Sequence, residues 1–219
     1  LPGFPYPVDQ LAGTWIGLFL FALWTSRGHL RDVATKIWHV NAQAIDDVNE
    51  PMRYRTAALG LLGGLGVIVL FCAKAGLSPG MAVAYLGIYL ALSITITRIR
   101  AELGPPIHDM YGAGPDFILS NVLGTKRIGQ KNLAVMTLFY WLNREAYRSH
   151  TMPHQLEGFK LAQQGGIPLR GLTFAMLLAL LVSMVSAFGV ALHPAYQDGA
   201  GIRFGGPARW FALEGYRRL

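Results

Sequence analysis

Residues 171–192 read GLTFAMLLALLVSMVSAFGVAL, a run without a single charged side chain. As an α-helix this run would be about 33 Å long, enough to cross a hydrocarbon core of roughly 30 Å. Shorter apolar runs at 11–25, 56–73 and 80–97 are predicted to form transmembrane helices as well. The sequence therefore predicts an all-α, polytopic membrane protein with about four transmembrane helices.

The composition agrees with a membrane protein. Of the 219 residues 53% are hydrophobic and only 14% are charged, whereas soluble domains carry about 25% charged residues. The net charge is +7, but the basic residues flank apolar runs, so we expect contact with lipid headgroups and no nucleic-acid partner. We expect a single membrane domain over 1–219 that is part of a longer protein. Its expected partners are the lipid bilayer and transmembrane helices of the same or another chain.

The distribution of basic residues predicts an orientation. Arginine and lysine are frequent between the first two apolar runs and after the third, whereas the connection between the second and third holds only Lys74. Because basic loops stay in the cytoplasm, we expect 27–55 and 98–170 on the cytoplasmic side of a bacterial inner membrane. A further apolar run, 133–142, is too short to span and is interpreted as re-entrant or interfacial. If it did cross, the charge bias would weaken.

Two connecting features have predicted structural roles. Residues 27–50 are interpreted as an amphipathic helix on the membrane surface, or equally as a plain helical connector. Gly60 and Gly64 form a GxxxG pattern in the second run, and the third run carries a stripe of small residues. Small residues let helices approach closely in lipid, so these two runs are predicted to form a tight hairpin.

The stretch 98–166 contains the residues that favour a binding site. Its glycines and prolines interrupt any continuous helix, and broken backbone beside transmembrane helices is typical of transporter ligand sites. A new helix is expected to begin near Asp116, with amides able to bind an anion. The alternative is an ordinary solvated loop in which Asp116 caps a helix and Glu102 pairs with a neighbouring arginine. The predicted substrate-binding residues are Arg100, Glu102, His108, Asp109 and Asp116.

A second cluster has the spacing of a metal site. His150, His154 and Glu157 would share one face of a continuous helix. Pro153 opposes this arrangement, because proline favours the first turn of a new helix, predicted here at 152–163 with a Thr151 cap. His150 would then lie outside the helix, and the alternative roles of this cluster are contact with lipid headgroups or hydrogen bonds that hold the loop. The sequence names no cofactor.

The segments RAELGPP at 100–106 and YRSHTMPHQLE at 147–157, together with 112–115, carry a family resemblance. They resemble a prokaryotic polytopic membrane family that is catalogued as a domain of unknown function, over roughly 50–165. The resemblance implies a multi-spanning helical fold, distantly similar to oligopeptide transporters, of which this chain would be a fragment. It implies no substrate and no catalytic residue.

Three functions remain open at this point. The favoured one is a solute transporter, or a portion of one, with its site near 98–116. The main alternative is a structural or accessory subunit of a larger membrane complex, with an interfacial tail over 193–219 that contacts a partner or lipid. An intramembrane enzyme built on the histidines is disfavoured by Pro153, and pigment ligation by the absence of histidine inside an apolar run. We therefore predict that the chain is not an enzyme.

Overall fold

The computed structural model describes residues 4, 6–39, 47–104, 113–139 and 150–199. Within these ranges 85% of the chain is helical and there are no strands, which confirms the all-α fold. The eight helices of the described ranges are α1 (Pro7–Trp38), α2 (Tyr54–Lys74), α3 (Pro79–Leu103), α4 (Pro115–Leu123), α5 (Thr125–Ile128), α6 (Gln130–Leu138), α7 (Thr151–Gln164) and α8 (Leu169–Asp198).

Three of these helices, α2, α3 and α8, are long and apolar enough to cross a membrane. They contain the predicted spans 56–73, 80–97 and 171–192 and extend beyond them at both ends. The predicted first span, 11–25, is not among the three, so it stays a prediction.

The structure joins the first predicted span to the connection that follows it. Helix α1 continues without interruption to Trp38, so the expected separate helix beginning at 27 is wrong for this part. The only glycine or proline near the expected boundary is Gly28, and a single glycine does not end a helix. His39 is extended, and the remainder of the predicted helix, 40–46, lies outside the described residues.

Helix α3 is the centre of the molecule, because α1, α2, α4 and α7 all pack against it. The predicted α2–α3 hairpin is confirmed, with Leu77 buried in its turn. The predicted close packing through the small residues is not confirmed, because a methyl group added at Gly60, Gly64 or Gly87 would meet no atom within 4 Å. The hairpin closes at its turn through larger apolar side chains, and the glycines of α2 face outward.

Helix α1 runs beside α3 in the same direction. Trp15 packs against the cluster formed by Leu92 and Ile96, and further along both helices Arg98 donates hydrogen bonds to Ala22 and Thr25. The end of α3 that carries Arg98 and its neighbour Arg100 is called the basic end below. The opposite end, at the α2–α3 connection over 75–78, is called the turn end.

Residues 113–139 run back along α3, from its second half to the turn end. Ala113 packs against Leu92 and Ile96, whereas Phe139 at the other extreme contacts Tyr85 with 5.5 Å between ring centroids. Between them, the Asn132 carboxamide accepts a hydrogen bond from the Ser78 amide at 2.8 Å. This return path covers about 20 Å of α3. The described part of the predicted broken stretch therefore lies alongside a candidate transmembrane helix.

Glycines produce the two breaks in this returning segment. Gly124 separates α4 from α5 with φ 77° and ψ 144°, and Gly129 separates α5 from α6 with φ 79° and ψ 153°. L-residues with a side chain rarely adopt this region, which is accessible to glycine. The result is three short helices, α4, α5 and α6, where a single long helix would otherwise cross.

The breaks bear on the predicted short run 133–142. Helix α6 is only about 13 Å long and cannot cross a bilayer. Residues 140–142 lie outside the described part of the chain, so the end of that run is not described. The cytoplasmic location of 98–170 stays a prediction, and the structure adds that Asn132 and Arg100 lie near opposite ends of α3.

Helices α7 and α8 form the outer layer. They are antiparallel, with Gly158 of α7 against Met176 of α8. The start of α8 is tied to the segment before α2, because the Thr173 hydroxyl donates to the Pro51 carbonyl at 3.2 Å. None of the residues of α8 is buried. The helix continues through Pro194, so the predicted tail is helical to Asp198, and 200–219 lie outside the described residues.

Candidate functional site

A cavity lies between the basic end of α3 and the side of α7. Its volume is about 440 Å³. The lining combines charged and apolar side chains, which are Arg100, Ala101, Pro153, Leu156, Glu157 and Lys160. An apolar wall with a few charged groups is the usual composition of a small-molecule site.

An ion pair crosses one side of this cavity. Arg100 Nε donates to Glu157 Oε1 at 2.5 Å, and the arginine side chain is only 13% exposed whereas the glutamate is 43% exposed. The pair joins α3 to α7 through two residues that are 57 positions apart in sequence. A largely buried guanidinium with a partly exposed carboxylate partner is a place where an incoming anion can compete for the arginine.

Local sequence signals place both members of the pair. Helix α3 continues past its apolar part to Leu103 and ends at Gly104, whose φ of 63° is left-handed, so Arg100 lies in the last turn. Helix α7 begins at Thr151 with Pro153 in its first turn, close to the predicted start. His150 occupies the N-cap position, just before the helix as predicted.

The hydrogen bond from Arg100 lowers the pKa of the Glu157 carboxyl. Partial desolvation acts in the opposite direction and is outweighed, and the charges of Arg100 and His154 add to the lowering. Glu157 therefore stays ionised at neutral pH. His154 is close to the same carboxylate, with 3.7 Å between Nδ1 and Oε2.

Two other predicted substrate-binding residues, Glu102 and Asp116, do not line this cavity. Glu102 pairs with Arg98 at 2.6 Å on the side of α3 that faces α1, as the alternative interpretation expected. Residues 98 and 100 are about 200° apart around a helix, so their side chains point to opposite neighbours. The structure therefore does not bring Arg100 and Glu102 together, and their shared role in substrate binding stays a prediction.

Asp116 lies in the first turn of α4, whose N-cap is Gly114. The expected new helix near Asp116 is confirmed, but the aspartate is not the cap. This helix packs against α3 and reaches α1, where Asn121 donates to Asp9 at 3.0 Å. His108 and Asp109 fall in 105–112, outside the described residues.

The predicted metal ligands separate into two groups. Over the described ranges, no three histidine, cysteine, aspartate or glutamate side chains come close enough to hold a metal ion. His154 and Glu157 are neighbours on α7, whereas His150 faces α3 from the N-cap position. Pro153, which starts a new helix after His150, is the reason.

His150 contacts a residue that the sequence reasoning missed, Tyr89. The Tyr89 hydroxyl is 3.5 Å from His150 Nδ1, and the two rings meet edge to face with 5.9 Å between centroids. Tyr89 lies near the middle of the predicted span 80–97, and a tyrosine at that depth was the signal available in the sequence.

A second cavity, of about 270 Å³, lies between α7 and α8. Polar groups from both helices line it, with Thr151, His154 and Gln155 on one side and Ser183 on the other. The rest of its wall is apolar and comes from α8. His154 therefore borders this cavity, while its neighbour Glu157 borders the first one.

The chain matches the model of a family of unknown function (DUF6785) over residues 1–219. The chain belongs to this family. The predicted resemblance to a membrane family of unknown function is confirmed and extends from the expected 50–165 to every residue of the sequence. The likeness to oligopeptide transporters and the fragment status are not confirmed for this DUF6785 member. No curated protein and no solved structure matches the chain.

Proposed function

We propose that this membrane protein is a solute transporter, or the transporting part of one, and that its substrate carries an anionic group such as a carboxylate. The observation that supports this function is the broken segment α4–α6, which runs beside the candidate transmembrane helix α3. Irregular backbone is tolerated at membrane depth where it is buried in protein or lines a wet cavity. Transporters build their binding sites from such interrupted helices.

The substrate site is the 440 Å³ cavity between α3 and α7. Pockets for small molecules fall in the range of roughly 300–1,000 Å³. Arg100 is the anchor for the anionic group, and Glu157 holds the arginine when substrate is absent. A substrate carboxylate replaces Glu157 in the bidentate geometry that guanidinium groups favour. Exchange of partners at Arg100 then loosens α7 from α3, which couples binding to a movement of helices.

The basic end faces the cytoplasm in this proposal. Nine described basic residues lie at this end, which are Arg27, Arg31, Lys36, Arg53, Arg55, Arg98, Arg100, Lys160 and Arg170. The turn end carries fewer basic residues, which are Lys74, Lys126, Arg127 and Lys131. Basic residues favour the cytoplasmic side, so the substrate cavity opens to the cytoplasm.

A thiol-accessibility scan in proteoliposomes tests whether the broken segment α4–α6 is in contact with water. It requires no knowledge of the substrate. The only cysteine, Cys72, is first replaced by alanine. Single cysteines at Ser120 and Ala134 should then react with a membrane-impermeant maleimide. Control cysteines at Leu62 of α2 and Leu181 of α8, both on exposed apolar faces, should not react because lipid covers them. Unreactive cysteines at both positions of the broken segment would remove the reason to propose transport.

Transport itself is measured by uptake of labelled carboxylates, amino acids and short peptides into the same proteoliposomes. Uptake of at least one anionic solute is expected, with loss of uptake in Arg100→Gln. Arg98→Gln is the matched control, since Arg98 faces α1 and does not line the cavity. Uptake that is equal in both variants would contradict the assignment of Arg100 as the anchor.

An accessory role in a larger complex is the second candidate. It is favoured by the outer face of the bundle, because α8 has no buried residue and the glycines of α2 contact nothing in the described chain. In lipid, small residues are a usual contact surface for another helix. Purification in mild detergent distinguishes the two functions, because an accessory subunit retains a partner protein whereas a transporter binds or moves solute without one.

A further inference from the structure

Titratable side chains follow one another from the middle of α3 to the basic end. Tyr89 meets His150 at 3.5 Å, His154 lies one helical turn beyond His150, and His154 meets Glu157 at 3.7 Å. His150 is the N-cap of α7, and His154 and Glu157 lie in its first two turns, so the three residues follow one another along the start of this helix. Glu157 ends the series at Arg100.

The series begins at membrane depth. Tyr89 lies ten residues after Pro79, the first residue of α3, which corresponds to about 15 Å along the helix. In a hydrocarbon core of roughly 30 Å this is close to the middle. Ionisable groups at such a depth are costly, and those that occur mark ion paths or proton relays.

We propose that Tyr89, His150, His154 and Glu157 form a proton-binding line between the middle of the membrane and the cavity at the basic end, and that the proton is the coupling ion of the transport proposed above. This inference rests on the proposed function. The chemistry of the line is proton transfer alone: a proton from water binds His154, the N–H bond on His154 breaks, and an N–H bond forms on His150. The step between the two rings requires a bridging water, and the polar cavity beside His154 has room for one next to that ring.

The charges around the line fit this role. Glu157 is ionised and faces Arg100 from α3 and Lys160 and His154 from its own helix. Its carboxylate is the counter-charge for a protonated His154. On the α8 side, His154 faces Met176, Ala179, Leu180 and Ser183, none of which carries a charge.

At the end of the line near the middle of α3, the group that faces His150 is the phenol of Tyr89. His150 faces Tyr89 of α3, whose hydroxyl can either donate to the imidazole or accept from it.

The other end of the line connects to the proposed substrate site, because Glu157 belongs to both. Displacement of Glu157 from Arg100 by a substrate carboxylate frees the glutamate to stabilise a proton on His154.

Deuterium exchange at the imidazole carbon, followed by mass spectrometry, tests the line in the full chain in liposomes. This slow exchange requires contact of each ring with water and its ions, and all six histidines are measured in one sample. His150 should exchange despite its depth, and exchange at His150 should fall several-fold in His154→Gln and in Glu157→Gln. His193→Gln, a change at a histidine of α8 outside the line, should leave His150 unchanged.

Two results would overturn the proton line. One is the absence of exchange at His150 in the unmodified protein, and the other is equal exchange in the unmodified protein and both line variants. Far-UV circular dichroism verifies that each variant is folded, and Glu157→Gln replaces His154→Gln if the latter misfolds. If the exchange results contradict the proton line but the cysteines of the broken segment react with maleimide, the transport proposal holds without proton coupling. Unreactive cysteines remove the transport proposal itself.

Discussion

The backbone amide of Ser78 and the carboxamide oxygen of Asn132 lie 2.8 Å apart, although 54 residues separate them in the sequence. Ser78 is the N-cap of α3, and the other end of the same carboxamide donates to the Ile128 carbonyl at 2.7 Å. One side chain therefore joins the start of the central helix to the break between α5 and α6. This contact fixes where the returning segment ends.

Replacing Asn132 with alanine should destabilise the protein by about 1–2 kcal/mol, because two hydrogen bonds to backbone groups are lost, and the one to Ile128 is partly buried. Asn132→Asp keeps an acceptor for Ser78 but loses the donor to Ile128, so a smaller loss is expected. Thermal unfolding in detergent, followed by circular dichroism, measures both. Asn49→Ala, at an exposed position, is the control, and equal midpoints for the Asn132→Ala and Asn49→Ala proteins would contradict the proposed link.

Alanine at Gly124 or Gly129 should cost on the order of 1–3 kcal/mol, because both glycines have positive φ with extended ψ. Steric overlap does not contribute to this cost, since a methyl group at either position would meet no atom within 4 Å. Gly17→Ala and Gly87→Ala are matched controls inside helices, where the same methyl group should leave stability unchanged or slightly higher. Unfolding midpoints of the four variants separate backbone strain from packing, and similar midpoints would show that the breaks are not held by these glycines.

The hydropathy of the sequence was sufficient to predict three of the long helices, and its prolines predicted where α4 and α7 begin. These are local properties: apolar length determines whether a helix can span, and proline favours a first turn. The opposite directions of Arg98 and Arg100 also follow from helix geometry alone.

The partners of those residues did not follow from the sequence. Glu157 and Thr25 reach the two arginines only because α7 and α1 pack on opposite sides of α3, which depends on the whole fold. The glycines of α2 led to the prediction of close packing against α3, which the structure does not show. A small-residue pattern marks a surface suited to close packing without indicating which helix packs there. Of the candidate site, the sequence predicted Arg100 as a ligand residue and missed Tyr89.

The stabilisation from the Arg100–Glu157 pair should depend on pH. The pKa of Glu157 is lower in the folded protein than in the unfolded chain, so the contribution is present above the unfolded value of about 4.3 and is lost as the pH falls through the folded value. A double-mutant cycle of Arg100→Gln and Glu157→Gln measures the coupling at each pH. The coupling should be favourable at pH 7 and disappear at low pH. Because the carboxylate is well exposed, high salt should weaken it, and a coupling that is constant with pH would contradict the ion pair.

Loss of Arg98 should loosen α1 without affecting α7. One guanidinium nitrogen of Arg98 donates to the Thr25 hydroxyl at 2.7 Å and to the Ala22 carbonyl at 3.1 Å, while Nε is held by Glu102. Arg98→Gln removes this fork, and Arg98→Lys restores only part of it because an ammonium is a point donor. Amide deuterium exchange should rise in the middle of α1 in the order wild type, Arg98→Lys, Arg98→Gln. Arg100→Gln is the reciprocal control, since it should raise exchange in α7 and leave α1 unchanged. The same exchange pattern in both glutamine variants would show that the two arginines do not hold different helices.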